Sequence, residues 1–227
     1  MESSILYSKL MDAPKDAPVF LSQKLEPDFI LKAYRFGLFP WTNKPVTWWC
    51  PDPRCVLNPS EIHIQKNMKK FINLYQIKLD YDFLSLIHLC RNTRPQSWID
   101  DEFIENYYEL FKQGYVHTLE LYEDKELIGG IYGLIIGKVF FGESMVSLRK
   151  NASKIALIKL CKLLKPYDFV IDCQVYNKHL EFMGAKNIER KIFLNILKEK
   201  CDQESGFTYF STLFYEIYLL FICILIF

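Results

Sequence analysis

An aspartate and a glutamine, Asp172 and Gln174, stand two positions apart near the end of the short apolar stretch 169–173. That stretch predicts a buried strand, and side chains two apart on a strand point to the same face. A carboxylate in this position can orient the neighbouring carboxamide so that its carbonyl oxygen faces an incoming amine. On residue types alone a structural alternative stays open, in which Asp172 caps the strand and Gln174 satisfies backbone groups.

A second carboxylate, Glu143, follows the strongly apolar stretch 139–141. Such a carboxylate lies either at the exposed end of a strand, which is the ordinary case, or in a cleft. Met145 is two positions further along, so we expect it on the same side of an extended strand as Glu143. Glu143 and the Asp172–Gln174 pair can form one site only if the fold brings their two strands together.

Composition limits the classes of protein that remain. The chain has 227 residues, of which 50% are hydrophobic, and this excludes intrinsic disorder. A formal net charge of +1 excludes a uniformly basic nucleic-acid binder. The first residues do not form a secretory signal, and the seven cysteines are irregularly spaced, so we expect free thiols and a cytoplasmic location. The four histidines and the cysteines do not have the spacing of a zinc site, and no metal is expected.

Periodicity and turn residues predict the supporting elements. Helices are expected at 28–36, ended by Gly37; at 67–75, with a basic surface; at 81–90; at 100–112, capped by Asp100; at 153–164; and as a turn at 177–183. Strands are expected at 117–122, 127–136 and 138–141, with a turn at Asp124-Lys125 and Gly137 between the last two. This order predicts an α+β fold with an antiparallel meander.

Charge is unevenly distributed along the chain. Residues 101–130 contain eight acids and two bases, whereas residues 144–200 contain twelve bases and five acids. Two solvated faces of opposite sign would explain this pattern. A phosphate-binding surface would explain it too, because a few Lys or Arg contacts suffice to hold the acceptor end of an RNA.

Several segments, read in order, are more specific than any one of them. They are AYRFGLFPW at 33–41, WWCPDPR at 48–54, SWI at 97–99, LIGGIYG at 127–133, FGESM at 141–145 with NASK at 151–154, and IDCQV at 171–175 with His179-Leu180 and Gly184-Ala185. In this order they resemble the leucyl/phenylalanyl-tRNA–protein transferase family. The resemblance covers roughly residues 30–197.

The resemblance implies an activity, partners and a fold. Such enzymes move Leu, Phe or sometimes Met from its tRNA to the N-terminal Arg or Lys of a protein, which marks that protein for degradation. It implies no cofactor beyond the co-substrate aminoacyl-tRNA, no DNA or membrane partner, and a monomer. It also implies a small N-terminal domain at 1–58 and an N-acetyltransferase-like catalytic domain at 59–205, with a mixed, mainly antiparallel sheet.

The resemblance also assigns residues. The implied catalytic set is Asp172, Gln174 and Glu143. The implied amino-acid pocket consists of Ile131, Phe140, Gly142, Met145, Leu157, Leu160 and Ile171, although plain core packing would be the default for each. Trp41 and Trp98 match the tryptophans around the terminal adenosine, and the candidates for tRNA phosphates are Lys66, Lys69, Lys70, Arg149 and Lys154. Trp48, Trp49 and Arg54 are expected to hold the two domains together.

Two other functions and one segment stay open. An acyl-CoA-dependent N-acyltransferase would need a Gly-containing phosphate loop, and residues 149–154 contain no Gly. A non-catalytic RNA-binding module would keep the basic face without needing the polar set. The apolar tail at 206–227 carries one charged residue, Glu216. Three interpretations stay open: a segment packed on the body, a weak membrane anchor, or an accidental extension after a reading-frame change. We favour the last.

Overall fold

A computed structural model describes residues 2–205 of the chain. Its helices are α1 (Glu2–Met11), α2 (Pro27–Arg35), α3 (Phe83–Asn92), α4 (Asp101–Lys112), α5 (Ala152–Leu164), α6 (Lys178–Phe182) and α7 (Arg190–Lys200). Its strands are β1 (Pro18–Ser22), β2 (Phe39–Asn43), β3 (Val46–Trp49), β4 (Arg54–Leu57), β5 (Gln76–Leu79), β6 (Val116–Glu123), β7 (Glu126–Ile136), β8 (Val139–Ser147), β9 (Val170–Gln174) and β10 (Lys186–Ile188). The apolar tail lies outside the described residues.

The strands form two sheets. A three-stranded antiparallel sheet has the order β1-β3-β2, and a seven-stranded sheet has the order β10-β4-β9-β8-β7-β6-β5. In the large sheet β8 and β9 are parallel, and the other neighbouring pairs are antiparallel. The α+β prediction with a mixed, mainly antiparallel sheet is confirmed. The domain boundary at residue 58 stays a prediction; β4, on its N-terminal side, pairs with β9 in the large sheet.

The predicted meander is present as β6, β7 and β8. Asp124 and Lys125 form its first turn, both with positive φ, which is the backbone that matches the twist of a two-residue hairpin. Gly137 forms the second turn with φ 58°, and a Cβ atom there would lie 2.2 Å from the carbonyl oxygen of Lys200. Only glycine tolerates both the conformation and this close approach.

Most of the predicted helices are present, with ends set by their capping residues. The Asp100 side chain accepts a hydrogen bond from the backbone N–H of Phe103 at 2.8 Å, so α4 begins as predicted. Pro27 opens α2, and Gly37 follows its end with φ 75°. Helix α3 begins at Phe83 because Asp82 accepts from the backbone N–H of Ser85.

The predicted basic helix at 67–75 is wrong. The structure has one 3₁₀ turn at Lys66–Met68, followed by further turns before β5. The stretch is short and contains two asparagines, so it gains little from helix formation. Burying Met68, Ile72 and Tyr75 in the core fixes its irregular path instead.

The large sheet is covered on both faces. Along β7, Tyr132, Leu134 and Ile136 belong to one hydrophobic cluster, which also contains residues of α2, α3, α4 and α7. Ile131 and Ile135 point the other way, into a second cluster that is built largely on α5. Because successive side chains are buried on opposite faces of the sheet, the strand sequences are almost continuously apolar. We call these the first and the second cluster below.

Candidate active site

A cavity of about 370 Å³ lies where β8 and β9 separate. The last matched pair of these parallel strands is Phe141 and Asp172. Glu143 and Gln174 each lie two residues beyond that pair, so their side chains can meet across the gap. They do meet, because Gln174 Nε2 donates a hydrogen bond to Glu143 Oε1 at 3.3 Å. The described lining is mostly apolar and aromatic, with these polar groups on one wall.

A β-bulge sets the direction of Glu143. In the β7–β8 register Tyr132 faces Ser144 and Gly133 faces Gly142, which leaves Glu143 as the extra residue. The bulge turns Glu143 toward the first cluster, whereas Met145 packs against the second. The prediction that these two side chains share one side of the strand is therefore wrong, because the bulge shifts the alternation between them. Both residues still line the cavity.

Two buried tyrosines hold Glu143. Tyr34 of α2 donates to Glu143 Oε1, and its hydroxyl lies 3.0 Å from that of Tyr107 in α4. Burial raises the pKa of Glu143 to about 7, although the hydrogen bonds from Tyr34 and Tyr107 work against this rise. Burial, followed by the neighbouring Glu143, raises the pKa of Tyr34, so its hydroxyl stays a donor. Glu143 is therefore a carboxylate that can change protonation near neutral pH.

Asp172 has a different environment. Its carboxylate is completely buried and accepts from Arg54 Nε at 2.8 Å and from Arg54 Nη2 at 2.6 Å. Arg54 Nη1 donates to the Gly37 carbonyl at 3.0 Å, and the guanidinium lies 4.8 Å from the ring of Phe39. Arg54 thus links the segment after α2 to β9, and its role in holding two domains together stays a prediction.

Asp172 does not orient the Gln174 amide as its position suggested. Its Oδ1 atom accepts from the backbone N–H of Gln174 at 2.9 Å, and the Gln174 backbone has φ 61°. A left-handed backbone is unfavourable for a residue with a Cβ atom, so fixed neighbours must hold it. Asp172 holds the backbone of Gln174, and Glu143 holds its side chain.

The structure brings most of the predicted pocket residues to the cavity. Those that line it are Ile131, Gly142, Met145, Leu157 and Ile171. Phe140 and Leu160 are buried in the second cluster and are not part of the described lining, so they support the wall from behind. Strand alternation and helix periodicity alone cannot distinguish a residue that lines a cavity from one directly behind it.

Both predicted adenosine-site tryptophans line the same cavity. The ring of Trp41 meets that of Trp49 edge-on at 4.9 Å, and the guanidinium of Arg94 lies 4.9 Å from the centre of the Trp98 ring. Trp48 is fully buried beside Phe20 in the small sheet. The cavity therefore has an apolar part, to which Met145 belongs, and an aromatic part formed by Trp41 and Trp98.

The predicted phosphate-binding residues lie away from the cavity. Lys66, Lys69 and Lys70 are exposed on the turns before β5. Arg149 forms surface ion pairs with Glu123 at 3.1 Å and Glu126 at 3.9 Å. Lys154 is half-buried near His179, whose pKa is lowered by burial and by this lysine. None of the five is in the described cavity lining.

Sequence reasoning missed four residues of the site. Tyr34 belongs to the motif at 33–41, but nothing in its spacing indicated a partner 109 positions away. Tyr107 reads as an ordinary core position of α4, and Arg54 was expected only to join domains. Arg94 stands four positions before Trp98, which is the one local signal that it belongs beside that ring.

Within residues 2–205 no group of three or more His, Cys, Asp or Glu is placed to hold a metal ion. None of the helices in that range combines the length and apolar character that a membrane crossing requires. An apolar cavity that opens on a carboxamide and a carboxylate is suited to holding an acyl group next to an amine, which is the arrangement of an acyltransferase.

The comparisons with known proteins give the family. The family model described as leucyl/phenylalanyl-tRNA protein transferase matches residues 56–198, and the model for that family's N-terminal domain matches residues 23–52. The chain belongs to the leucyl/phenylalanyl-tRNA–protein transferase family. The resemblance read from the motifs is confirmed, and the chain is an aminoacyltransferase whose family uses aminoacyl-tRNA as co-substrate.

Several curated relatives carry the name leucyl/phenylalanyl-tRNA–protein transferase. One from Campylobacter jejuni subsp. jejuni serotype O:23/36 (strain 81-176) is 81% identical over 213 residues, covering 94% of this chain and 99% of the relative. One from Campylobacter lari (strain RM2100) is 63% identical, covering 94% of this chain and 100% of the relative. One from Flavobacterium johnsoniae is 39% identical, covering 86% of this chain and 97% of the relative.

Solved structures with some likeness are far more distant. An aminoglycoside acetyltransferase, meta-AAC0020, from an uncultured soil metagenomic sample has a TM-score of 0.37 and 14% identity, covering 60% of this chain and 96% of that chain. L-PGS from Bacillus licheniformis has a TM-score of 0.35 and 9% identity, covering 70% of this chain and 54% of that one. The function therefore rests on the family and on the site.

Proposed function

We propose that this protein transfers Leu or Phe, and to a lesser extent Met, from aminoacyl-tRNA to the α-amino group of proteins that begin with Arg or Lys. The products carry a new N-terminal residue that marks them for degradation in the cytoplasm, and the enzyme works as a monomer. The observation that carries the proposal is the pairing of Gln174 with Glu143 on the wall of an apolar cavity.

The apolar part of the cavity supports the choice of donor. Ile131, Leu157 and Ile171 present branched aliphatic groups, and Met145 adds a flexible thioether that adapts to different shapes. Such a wall accepts Leu and Phe side chains and rejects charged ones, because an unpaired charge is expensive to bury. Trp41 and Trp98 supply ring faces for the terminal adenosine, whose stacking contributes about 1–3 kcal/mol per base.

The polar wall supports the choice of reaction. The Gln174 amide uses an N–H to reach Glu143, so its carbonyl oxygen remains able to accept a hydrogen bond from the attacking amine. The amine arrives as an ammonium group and gives up one proton to the carboxylate of Glu143. As the C–N bond forms, the ester C–O bond breaks, and the second amine proton goes to the ribose oxygen that leaves.

Aminolysis of an activated ester needs no covalent enzyme intermediate. The ester of the tRNA is already reactive, and positioning the amine next to it supplies much of the rate. Asp172 and Arg54 contribute by holding the backbone of Gln174 in place. In this scheme Glu143 handles a proton, Gln174 positions the amine, and Asp172 acts through the Gln174 backbone.

The test is a transfer assay with matched acceptors. The purified chain is incubated with radiolabelled Phe-tRNA and peptides that differ only in their first residue, which is Lys, Arg, Ala or Asp. We expect label on the Lys and Arg peptides only. A parallel reaction with labelled acetyl-CoA tests the acyl-CoA alternative. Label from acetyl-CoA, or no label from tRNA, would overturn the proposal, and size-exclusion chromatography checks the monomer.

A further inference from the structure

Arg94 lies in the loop after α3 and lines the cavity. Among the described residues that line the cavity it is the only positively charged one. Its guanidinium lies 4.9 Å from the centre of the Trp98 ring, and its Nη2 atom donates to the backbone carbonyl of Met145 at 3.2 Å. These contacts place a fixed positive charge beside the aromatic part of the cavity.

Among the described residues, no carboxylate forms an ion pair with Arg94. Within residues 2–205 no Asp or Glu oxygen lies within 4.0 Å of its guanidinium, and the enclosed Nη1 atom has no hydrogen-bond partner there. Arg54, the other arginine close to this site, is by contrast fully paired with Asp172. A guanidinium does not lose its charge at cellular pH, and an enclosed donor without a partner is unfavourable. Arg94 is therefore set up to receive an acceptor from a ligand.

The chemistry of the donor substrate indicates which acceptor this is. The esterified amino acid carries a cationic α-ammonium group, which Arg94 would repel, and an apolar side chain. The nearest anion in an aminoacyl-tRNA is the phosphodiester on the 5′ side of the terminal adenosine. Arginine suits phosphate because its planar fork of N–H groups matches two phosphate oxygens.

We propose that Arg94 binds this phosphodiester, so that Trp98 and Arg94 together hold the terminal nucleotide while the amino acid fills the apolar part. This inference rests on the proposed function. It separates the work of Arg94 from that of the exposed lysines Lys66, Lys69 and Lys70, which lie away from the cavity and suit the body of the tRNA.

The experiment compares two small donors with the same reactive ester. One is the 3′-phenylalanyl ester of adenosine, which has no phosphate, and the other is the same ester of the dinucleotide CpA, which has one phosphodiester. We expect the wild-type protein to favour the CpA ester in kcat/KM. Arg94→Gln should lower kcat/KM for the CpA ester roughly tenfold and change that for the adenosine ester less than twofold. For the CpA ester, the kcat/KM of Arg94→Lys should lie between those of the wild type and of Arg94→Gln.

The matched control is Arg91→Gln. Arg91 lies in the last turn of α3 and pairs with the exposed Asp101 at 2.5 Å, outside the described cavity lining. It should behave as the wild type with both donors, and circular dichroism checks that each variant is folded. Equal loss with both donors in Arg94→Gln would assign Arg94 to the developing oxyanion or to structure, and no loss with either would remove it from the site. Both results overturn the inference.

A binding arm makes the result independent of transfer. The affinities of unesterified CpA and of adenosine are measured by isothermal titration for the wild-type protein and for Arg94→Gln. We expect the preference for CpA to fall roughly tenfold in the variant. A wild-type protein without any preference for CpA would overturn the inference. A wild-type preference for CpA that is lost in Arg94→Gln, found together with no transfer from any donor, would overturn the proposed function alone.

Discussion

The two carboxylates of the site, Asp172 and Glu143, belong to adjacent strands and have opposite environments. Asp172 is fully enclosed and receives two hydrogen bonds from Arg54, so its charge is neutralised inside the protein. Glu143 is half-buried, faces the cavity and is held by two tyrosines and an amide instead of a cation. Carboxylates in such different surroundings can take different tasks, and this contrast is why we propose a supporting role for Asp172 and a chemical role for Glu143.

The largest expected effect follows from removing the partner of the supporting carboxylate. Arg54→Ala leaves the Asp172 charge buried and unpaired, which should lower the free energy of unfolding by about 3–5 kcal/mol. Urea denaturation measures this loss. The control is Arg35→Ala, which removes an exposed pair with Asp202 and should cost less than about 1 kcal/mol. Equal losses in the two variants would contradict the structural role given to Asp172.

The second prediction concerns the carboxylate that titrates. Glu143→Gln should lower kcat roughly 10²- to 10³-fold and leave the protein folded, because the amine then has no proton acceptor. Since the pKa of Glu143 is raised to about 7, the wild-type kcat should increase with pH through that value. The variant should lack this rise. A retained rise near pH 7 would show that another group titrates, such as the amine of the acceptor.

The same raised pKa has a consequence for stability. Between the ordinary pKa of a glutamate and about 7, the folded state holds a proton on Glu143 that the unfolded state has released. Stability therefore falls as pH increases through that window, and this contribution disappears in Glu143→Gln. Denaturation at pH 5 and at pH 8 in both proteins measures the difference.

The third prediction separates the apolar wall from the carboxylates. Leu157→Ala enlarges the cavity and should change the ratio of Leu to Phe transfer by roughly tenfold, in favour of Phe. Leu160→Ala is the matched control, because Leu160 is buried behind the wall. It should destabilise the protein without changing the ratio. The rise of kcat with pH should be unaltered in both variants, since the groups that hydrogen-bond Glu143 are Tyr34, Tyr107 and Gln174.

The smallest expected effect concerns the backbone of Gln174. Its φ of 61° favours glycine, so Gln174→Gly should be more stable than Gln174→Ala by about 1 kcal/mol. Transfer should be equally slow in the two variants, because both lack the carboxamide. Thermal unfolding measures the difference in stability, and the transfer assay measures the loss of activity. A glycine variant no more stable than the alanine variant would show that the strain is relieved elsewhere.

Local rules were sufficient where one segment determines its own structure. The Asp100 cap, the Gly37 end of α2, the turn at Asp124-Lys125 and the meander follow from short stretches of sequence. The basic helix at 67–75 failed because burial of distant contacts outweighed a weak helix preference. Of the pocket residues, Phe140 and Leu160 proved to lie behind the wall, since periodicity gives a face and not a depth.

The sequence by itself determined the family, the order of the elements and the candidate set Glu143, Asp172 and Gln174, because motifs and periodicity are local properties of a chain. Only the tertiary structure decided what each of them touches. A bulge turns Glu143 toward Tyr34 and Tyr107, and Arg54, which is 118 positions away along the chain, forms the ion pair with Asp172. The protonation behaviour of a carboxylate depends on burial and on such neighbours, and these are set by packing between segments that are distant along the chain.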